Sequence, residues 1–126
     1  MTELPAPPTL VGQQIALVLD IDGTLIEHHP HPEDIRVSDE LRELIVALTS
    51  RLDDAVAFVT GRNVDMVDRL FAPLRLPTAG LYGLEHRLTH DGAVERADES
   101  ADLAAVANQL EKEFHTTEGI YFERKG

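Results

Sequence analysis

The stretch Ile15-Ala-Leu-Val-Leu-Asp20-Ile-Asp22-Gly-Thr24 decides the fold. An apolar run rich in branched residues and closed by a turn signal predicts a strand buried on both faces. It stops on two carboxylates, a glycine and a hydroxyl. Asp20 and Asp22 alternate with Ile21, so they cannot both keep the orientation of the apolar side chains before them. Two carboxylates at the mouth of a buried strand are costly unless a cation or a phosphate-bound metal uses them. Ligands of open α/β sheets bind outside the carboxyl ends of the strands, where these groups fall.

Downstream, Leu25-Ile-Glu-His-His-Pro-His-Pro-Glu-Asp34 is kept from helix by its prolines and reads as a loop lining that strand end. Ser38 is placed to cap a helix, with Asp39 and Glu40 in the first turn and Leu41, Leu44, Ile45 and Leu48 on one face. Asp53-Asp54 interrupt the pattern before Ala55-Val-Ala-Phe-Val-Thr60, a second buried strand. Strand, helix and strand at these spacings predict a right-handed βαβ unit with parallel strands. The second strand also ends on polar residues, Thr60-Gly61-Arg62. Asn63 can cap a following helix that turns Val67, Leu70 and Phe71 inward and ends at Pro73, and Thr78–Tyr82 predicts a third strand.

Beyond Glu85 the pattern changes. His86–Arg96 predicts an antiparallel hairpin, with Asp91-Gly92 suited to a tight primed turn. A helix over Ala101–Phe114 carries Leu103, Val106, Leu110 and Phe114 on one face, and Gly119–Gly126 begins another strand. The expected organisation is therefore a flexible proline-rich tail (1–12), a core segment (13–85) and a second segment (86–126).

The 126 residues, 43% hydrophobic and 27% charged, fit one soluble globular domain at most. No apolar run is long enough for a membrane span, and the amino terminus lacks the signature of a signal peptide. Absence of cysteine excludes disulfides and thiolate chemistry and fits a reducing compartment; a cytoplasmic location is expected. A formal net charge of −12 argues against nucleic acid as partner. It does not exclude a small phosphorylated substrate, since backbone N–H groups, a metal and a few basic side chains can build a local anion site.

The chemistry of Asp20-x-Asp22-Gly23-Thr24 is coherent. One carboxylate can attack phosphorus and carry a covalent phosphoryl group; the other can protonate the leaving oxygen and later activate water. Mg2+ would bind carboxylate and backbone oxygen there, and Gly23 allows close approach of the backbone to phosphate. The alternative is a calcium-like or turn-forming Asp-rich loop. Thr60-Gly61-Arg62 gains its meaning from position: a hydroxyl for the phosphate and a guanidinium for an anionic substrate at the neighbouring strand end. His28, His29 and His31 lack regular ligand spacing, so a solvated loop is favoured over zinc.

These residues resemble the haloacid dehalogenase superfamily of phosphotransferases, in whose first motif Asp20-Ile-Asp22-Gly23-Thr24 fits and in whose second Thr60 fits. Within it the chain is similar to the trehalose-6-phosphate phosphatases at residues 20–25, 60–62 and 80–87, and at Glu123-Arg-Lys125-Gly126 of their cap. The resemblance implies a Rossmann-like α/β core with a parallel sheet, incomplete here, plus the start of an α/β cap at residues 86–126. It implies a Mg2+-dependent phosphomonoesterase that hydrolyses trehalose 6-phosphate. Asp20 would be the nucleophile, Asp22 the general acid/base and Thr60 the phosphoryl-binding hydroxyl. Gly23, Thr24, Gly61 and Arg62 would bind substrate, Glu123 and Lys125 would contact the sugar, and Asp20 with the Asp22 carbonyl would hold the metal. Two departures stand out: Tyr82 occupies a position where the subfamily usually has His, and the third motif (a lysine) and fourth (an acidic pair) have no counterpart. The expectation is an amino-terminal portion of such an enzyme, whose incomplete sheet invites self-association through its edge. The alternatives are another capped sugar-phosphate phosphatase and a non-catalytic interaction fragment.

Overall fold

The computed structural model describes residues 4–27, 35–98, 100–120 and 122–124. β1 (Leu17–Leu19), β2 (Val56–Val59), β3 (Thr78–Gly80), β4 (Glu85–Arg87) and β5 (Glu95–Arg96) form one sheet in the order β1-β2-β3-β4-β5. The first two pairings are parallel and the last two antiparallel. The expected βαβ unit is present, with α1 (Asp39–Arg51) between β1 and β2, and α2 (Val64–Phe71) repeats it between β2 and β3.

Local chemistry sets the helix ends. Ser38 Oγ accepts the Leu41 amide and Asn63 Oδ1 the Met66 amide, each satisfying a donor that the first helical turn leaves open. Glu40, in the first turn of α1, has its carboxyl held below the usual carboxylate range by hydrogen bonds from its own backbone amide and from Ser38. Asp53 and Asp54 both take left-handed backbone angles in the turn to β2, a conformation that Asp tolerates better than most residues.

Two successive crossovers of the same hand, stepping in the same direction, lay both helices on one face of the sheet. Ile45 of α1 and Val67 and Phe71 of α2 accordingly share one core with Ile21, Val56, Phe58 and Leu76. The opposite face carries Val18, 60% exposed, and Val59, 46% exposed. The expectation of strands buried on both faces thus fails: the described residues supply one helical layer, so burial alternates along β1 and β2.

Three further expectations change. The antiparallel β4–β5 hairpin is joined through residues 88–94 and not by a two-residue turn at Asp91-Gly92. No residue of that connection has positive φ, which a primed turn requires. Gly92 serves closeness instead, since its amide meets the Thr89 carbonyl at 3.0 Å and a Cβ would lie 2.7 Å from Thr89 Oγ1. β4 pairs with β3, so residues 85 and 86 lie within one strand of the core sheet. Among the described residues after α3 (Ala101–Phe114) none is in a strand; strand geometry needs a partner to accept its hydrogen bonds, and Tyr121, Lys125 and Gly126 lie outside the described residues. The expected apolar stripe of α3 is present, but Leu103, Val106 and Leu110 are exposed.

Candidate active site

Ile21, fully buried, pins the end of β1. Its carbonyl accepts the amides of Leu25 and Ile26 at 2.9 and 3.1 Å, folding the chain back on itself. The reversal passes through Gly23 at φ +78°, where a side chain would have open space but a strained backbone. The Gly23 amide donates to the Ile26 carbonyl at 2.8 Å, so this glycine serves the turn directly. The result leaves Asp20 exposed at the sheet mouth, its Oδ2 accepting from Thr24 Oγ1 at 3.2 Å.

At the end of β2, Thr60 is buried; its Oγ1 accepts the Arg62 amide at 3.1 Å, which leaves the hydroxyl proton to donate elsewhere. Arg62 then reaches across to β1: Nε meets Asp22 Oδ2 at 2.7 Å and Nη2 meets Oδ1 at 2.6 Å. This fork is the geometry of an ionised carboxylate, and a carboxylate accepting on both oxygens has no proton to give. For Asp22 to act as an acid the pair must open. The sequence reading aimed Arg62 at an anionic substrate; here its fork is on Asp22.

The loop is held from β3 as well. Leu81 donates to the Arg62 carbonyl at 2.9 Å, and a Cβ on Gly80 would lie 2.7 Å from that carbonyl. Gly61 lies directly beneath the Tyr82 ring, where a Cβ would sit 2.7 Å from Tyr82 Cζ and Oη and would push that exposed side chain aside. Leu81 and Tyr82 both have positive φ, and local strain of this kind concentrates at functional sites. Tyr82 itself is 80% exposed beside Gly61.

Behind this mouth stands a buried polar layer that sequence reading did not assign. Glu85 Oε2 accepts the Val64 amide at the start of α2 at 2.9 Å, and Oε1 accepts Arg96 Nε at 2.8 Å. Those bonds to Glu85, and its charge, raise the Arg96 pKa. Arg87, almost fully buried, forks onto Asp68 at 2.7 Å twice and donates to the Leu76 carbonyl. Burial pushes the Asp68 carboxyl up, but the Arg87 bonds and charge, with Arg75, outweigh it and leave the pKa lowered. The available signal was the alternation of Glu85 and Arg87 in a strand beside an apolar core, since charges there must be paired.

The structure therefore brings Asp20, Asp22, Gly23, Thr24, Thr60, Gly61 and Arg62 to one end of the sheet. Glu123 lies on the segment after α3; Lys125, and His28, His29 and His31, lie outside the described residues. Asp20 and the Asp22 carbonyl are hard oxygen donors of the kind Mg2+ takes. Among the described residues, however, no group of three or more His, Asp or Glu side chains could hold a metal, and Asp22 already carries Arg62. The donor set fits Mg2+ only in part. No helix among the described residues is long and apolar enough to cross a membrane.

A sequence model of the trehalose-phosphatase family matches residues 18–126. A probable trehalose-phosphate phosphatase of Sinorhizobium fredii is 40% identical over 111 residues, which make up 88% of this chain and 42% of that protein. Among solved structures, a trehalose-6-phosphate phosphatase related protein superposes with a TM-score of 0.61 at 24% identity, covering 81% of this chain and 42% of the other. A haloacid dehalogenase-like hydrolase from B. subtilis superposes with a TM-score of 0.54 at 23% identity over 78% of this chain and 33% of its own. The fold is that of the haloacid dehalogenase-like hydrolases, and the chain spans less than half the length of these relatives.

Proposed function

The chain belongs to the trehalose-phosphatase family, and we propose that it carries the nucleophile half of a Mg2+-dependent trehalose-6-phosphate phosphatase site. The carrying observation is the Asp22–Arg62 fork, which ties the two strand ends into one constellation around the exposed Asp20. Substrate binding opens the Arg62 fork and lets Asp22 take up a proton; Asp20 then attacks phosphorus, and the sugar oxygen leaves with that proton, giving trehalose and an aspartyl phosphate. Asp22 then takes a proton from water as the water oxygen bonds to phosphorus, which breaks the bond to Asp20 and frees phosphate and the Asp20 carboxylate. Thr60 donates its hydroxyl to the phosphoryl group, with Gly61 and Thr24 shaping its seat. Mg2+, where bound by Asp20 and the Asp22 carbonyl, would shield the nucleophile from the phosphate charge. The part of the chain after β5, the last strand of the core sheet, is proposed to begin a cap that brings Glu123 and Lys125 to the sugar hydroxyls, and the cytoplasm is the proposed location.

With the metal's donor set incomplete, the 126 residues alone are expected to release no phosphate from trehalose 6-phosphate; robust Mg2+-dependent turnover, lost in Asp20→Asn, would contradict this. Substrate identity is tested in a polypeptide that continues residues 1–126 with the carboxyl-terminal part of the Sinorhizobium relative. Phosphate release should favour trehalose 6-phosphate over glucose 6-phosphate and sucrose 6-phosphate. Equal rates across the panel would favour the second reading, a capped phosphatase for another sugar phosphate, to which Tyr82 in place of the usual His lends support. β1 stands at one edge of the described sheet, so self-association through that edge is proposed as well.

A further inference from the structure

Beside this mouth, between the segment leading into α1 and the outer side of α2, lies a cavity of about 710 Å3 lined by Arg36, Arg42, Arg62 and Arg69 together with Met66 and Leu70. Four of the chain's eleven basic residues converge there, in a molecule whose formal net charge is −12. Like charges gathered at one cleft repel each other unless counter-charges are supplied. Arg62 is balanced by Asp22 and Arg42 by Asp39. Arg36 and Arg69 have no ion-pair partner among the described residues; Arg69 Nε donates only to the Asp65 carbonyl of its own helix at 3.3 Å. Arg42 Nε is buried with no acceptor, a donor whose desolvation nothing among the described residues repays. Neither Asp20 nor Thr24 nor Thr60 lines this cleft, so it is separate from the phosphoryl seat.

We propose that the arginine-lined cleft is a second binding site, for a small multivalent oxyanion of the phosphate type. Guanidinium forks match such oxygens two at a time, and the apolar Met66 and Leu70 admit a carbon skeleton where the anion is an ester. Binding here needs no metal, because arginines and not carboxylates meet the ligand. It also stands whether or not the phosphatase assignment does.

Titration calorimetry of the full chain with inorganic pyrophosphate, at low salt and with excess EDTA, reads this site through its dependence on Arg36 and Arg69. The expected result is saturable binding, tighter than for inorganic phosphate, that Arg36→Gln and Arg69→Gln each weaken by about tenfold. Both side chains are exposed, so circular dichroism should find these variants folded like the parent. Asp20→Asn should leave the affinity within about threefold, because screening weakens a charge that does not touch the ligand. Absence of binding, a requirement for Mg2+, indifference to both arginine substitutions, or loss of binding in Asp20→Asn would each overturn the proposal. Should either glutamine variant misfold, Arg36→Lys and Arg69→Lys give the same reading, with smaller losses expected because a point charge replaces a fork.

Discussion

The two faces of the sheet are made of nearly the same residues and have different fates. Phe58 is buried under α1 and α2, whereas its neighbour Val59 is 46% exposed on the face those helices do not reach. Likewise Leu17 and Leu19 pack against the core, and Val18 between them is 60% exposed. The contrast shows that an apolar run reports which surfaces a strand can bury, while the connections decide which surface these residues cover. Two crossovers in one direction build one layer.

The largest effect that sharpens the contrast should come from truncating both sides of β2. Phe58→Ala should cost about 3–5 kcal/mol in chemical denaturation, and Val59→Ala no more than about 1 kcal/mol. Equal losses would mean that the open face is covered in solution. The polar layer on the covered side comes next. Arg87→Met should cost about 2–3 kcal/mol, less than breaking a wholly buried pair, because Asp68 keeps some access to water. The lowered Asp68 pKa gives this layer a pH signature. Its stabilisation is complete above the unfolded aspartate pKa and fades as pH falls through the lower folded value. Asp68→Asn should therefore flatten the acid limb of a stability–pH profile and leave its neutral region destabilised. A full acid limb in that variant would assign the dependence to other carboxylates. Asn63→Ala, which removes the α2 cap, should cost about 1 kcal/mol. Smallest of all, Val18→Thr on the open face should change stability by less than about 0.5 kcal/mol. A loss several times larger, or a shift in sedimentation, would show that something covers β1.

Much of the fold was legible because it is local. Ser38 and Asn63 cap as their side chains suggest, and β1 and β2 pair in parallel with Leu19 opposite Phe58, which brings their polar ends to the same edge of the sheet. What escaped the sequence is pairing at a distance. Nothing near Arg62 in the chain announces that its fork will close on Asp22, nor that Glu85 will seat the start of α2 while binding Arg96. Asp91-Gly92 misled because the connection runs through residues 88–94 with no positive φ, so the pair forms no two-residue primed turn. The strand expected from Gly119 finds no partner among the described residues, and a strand needs one to take its hydrogen bonds.

The central claim is that Asp20 is the nucleophile of a site assembled from the two strand ends. It is tested most directly by trapping the phosphoryl group in the continued polypeptide with Asp22 intact, by rapid quenching on the timescale of a single turnover. After quenching with acid during turnover of trehalose 6-phosphate and Mg2+, the peptide containing residues 15–24 should gain the mass of one phosphoryl group, located on Asp20 by fragmentation. A folded protein that hydrolyses the substrate with no phosphoryl group on Asp20, or with one on another residue, would contradict the account.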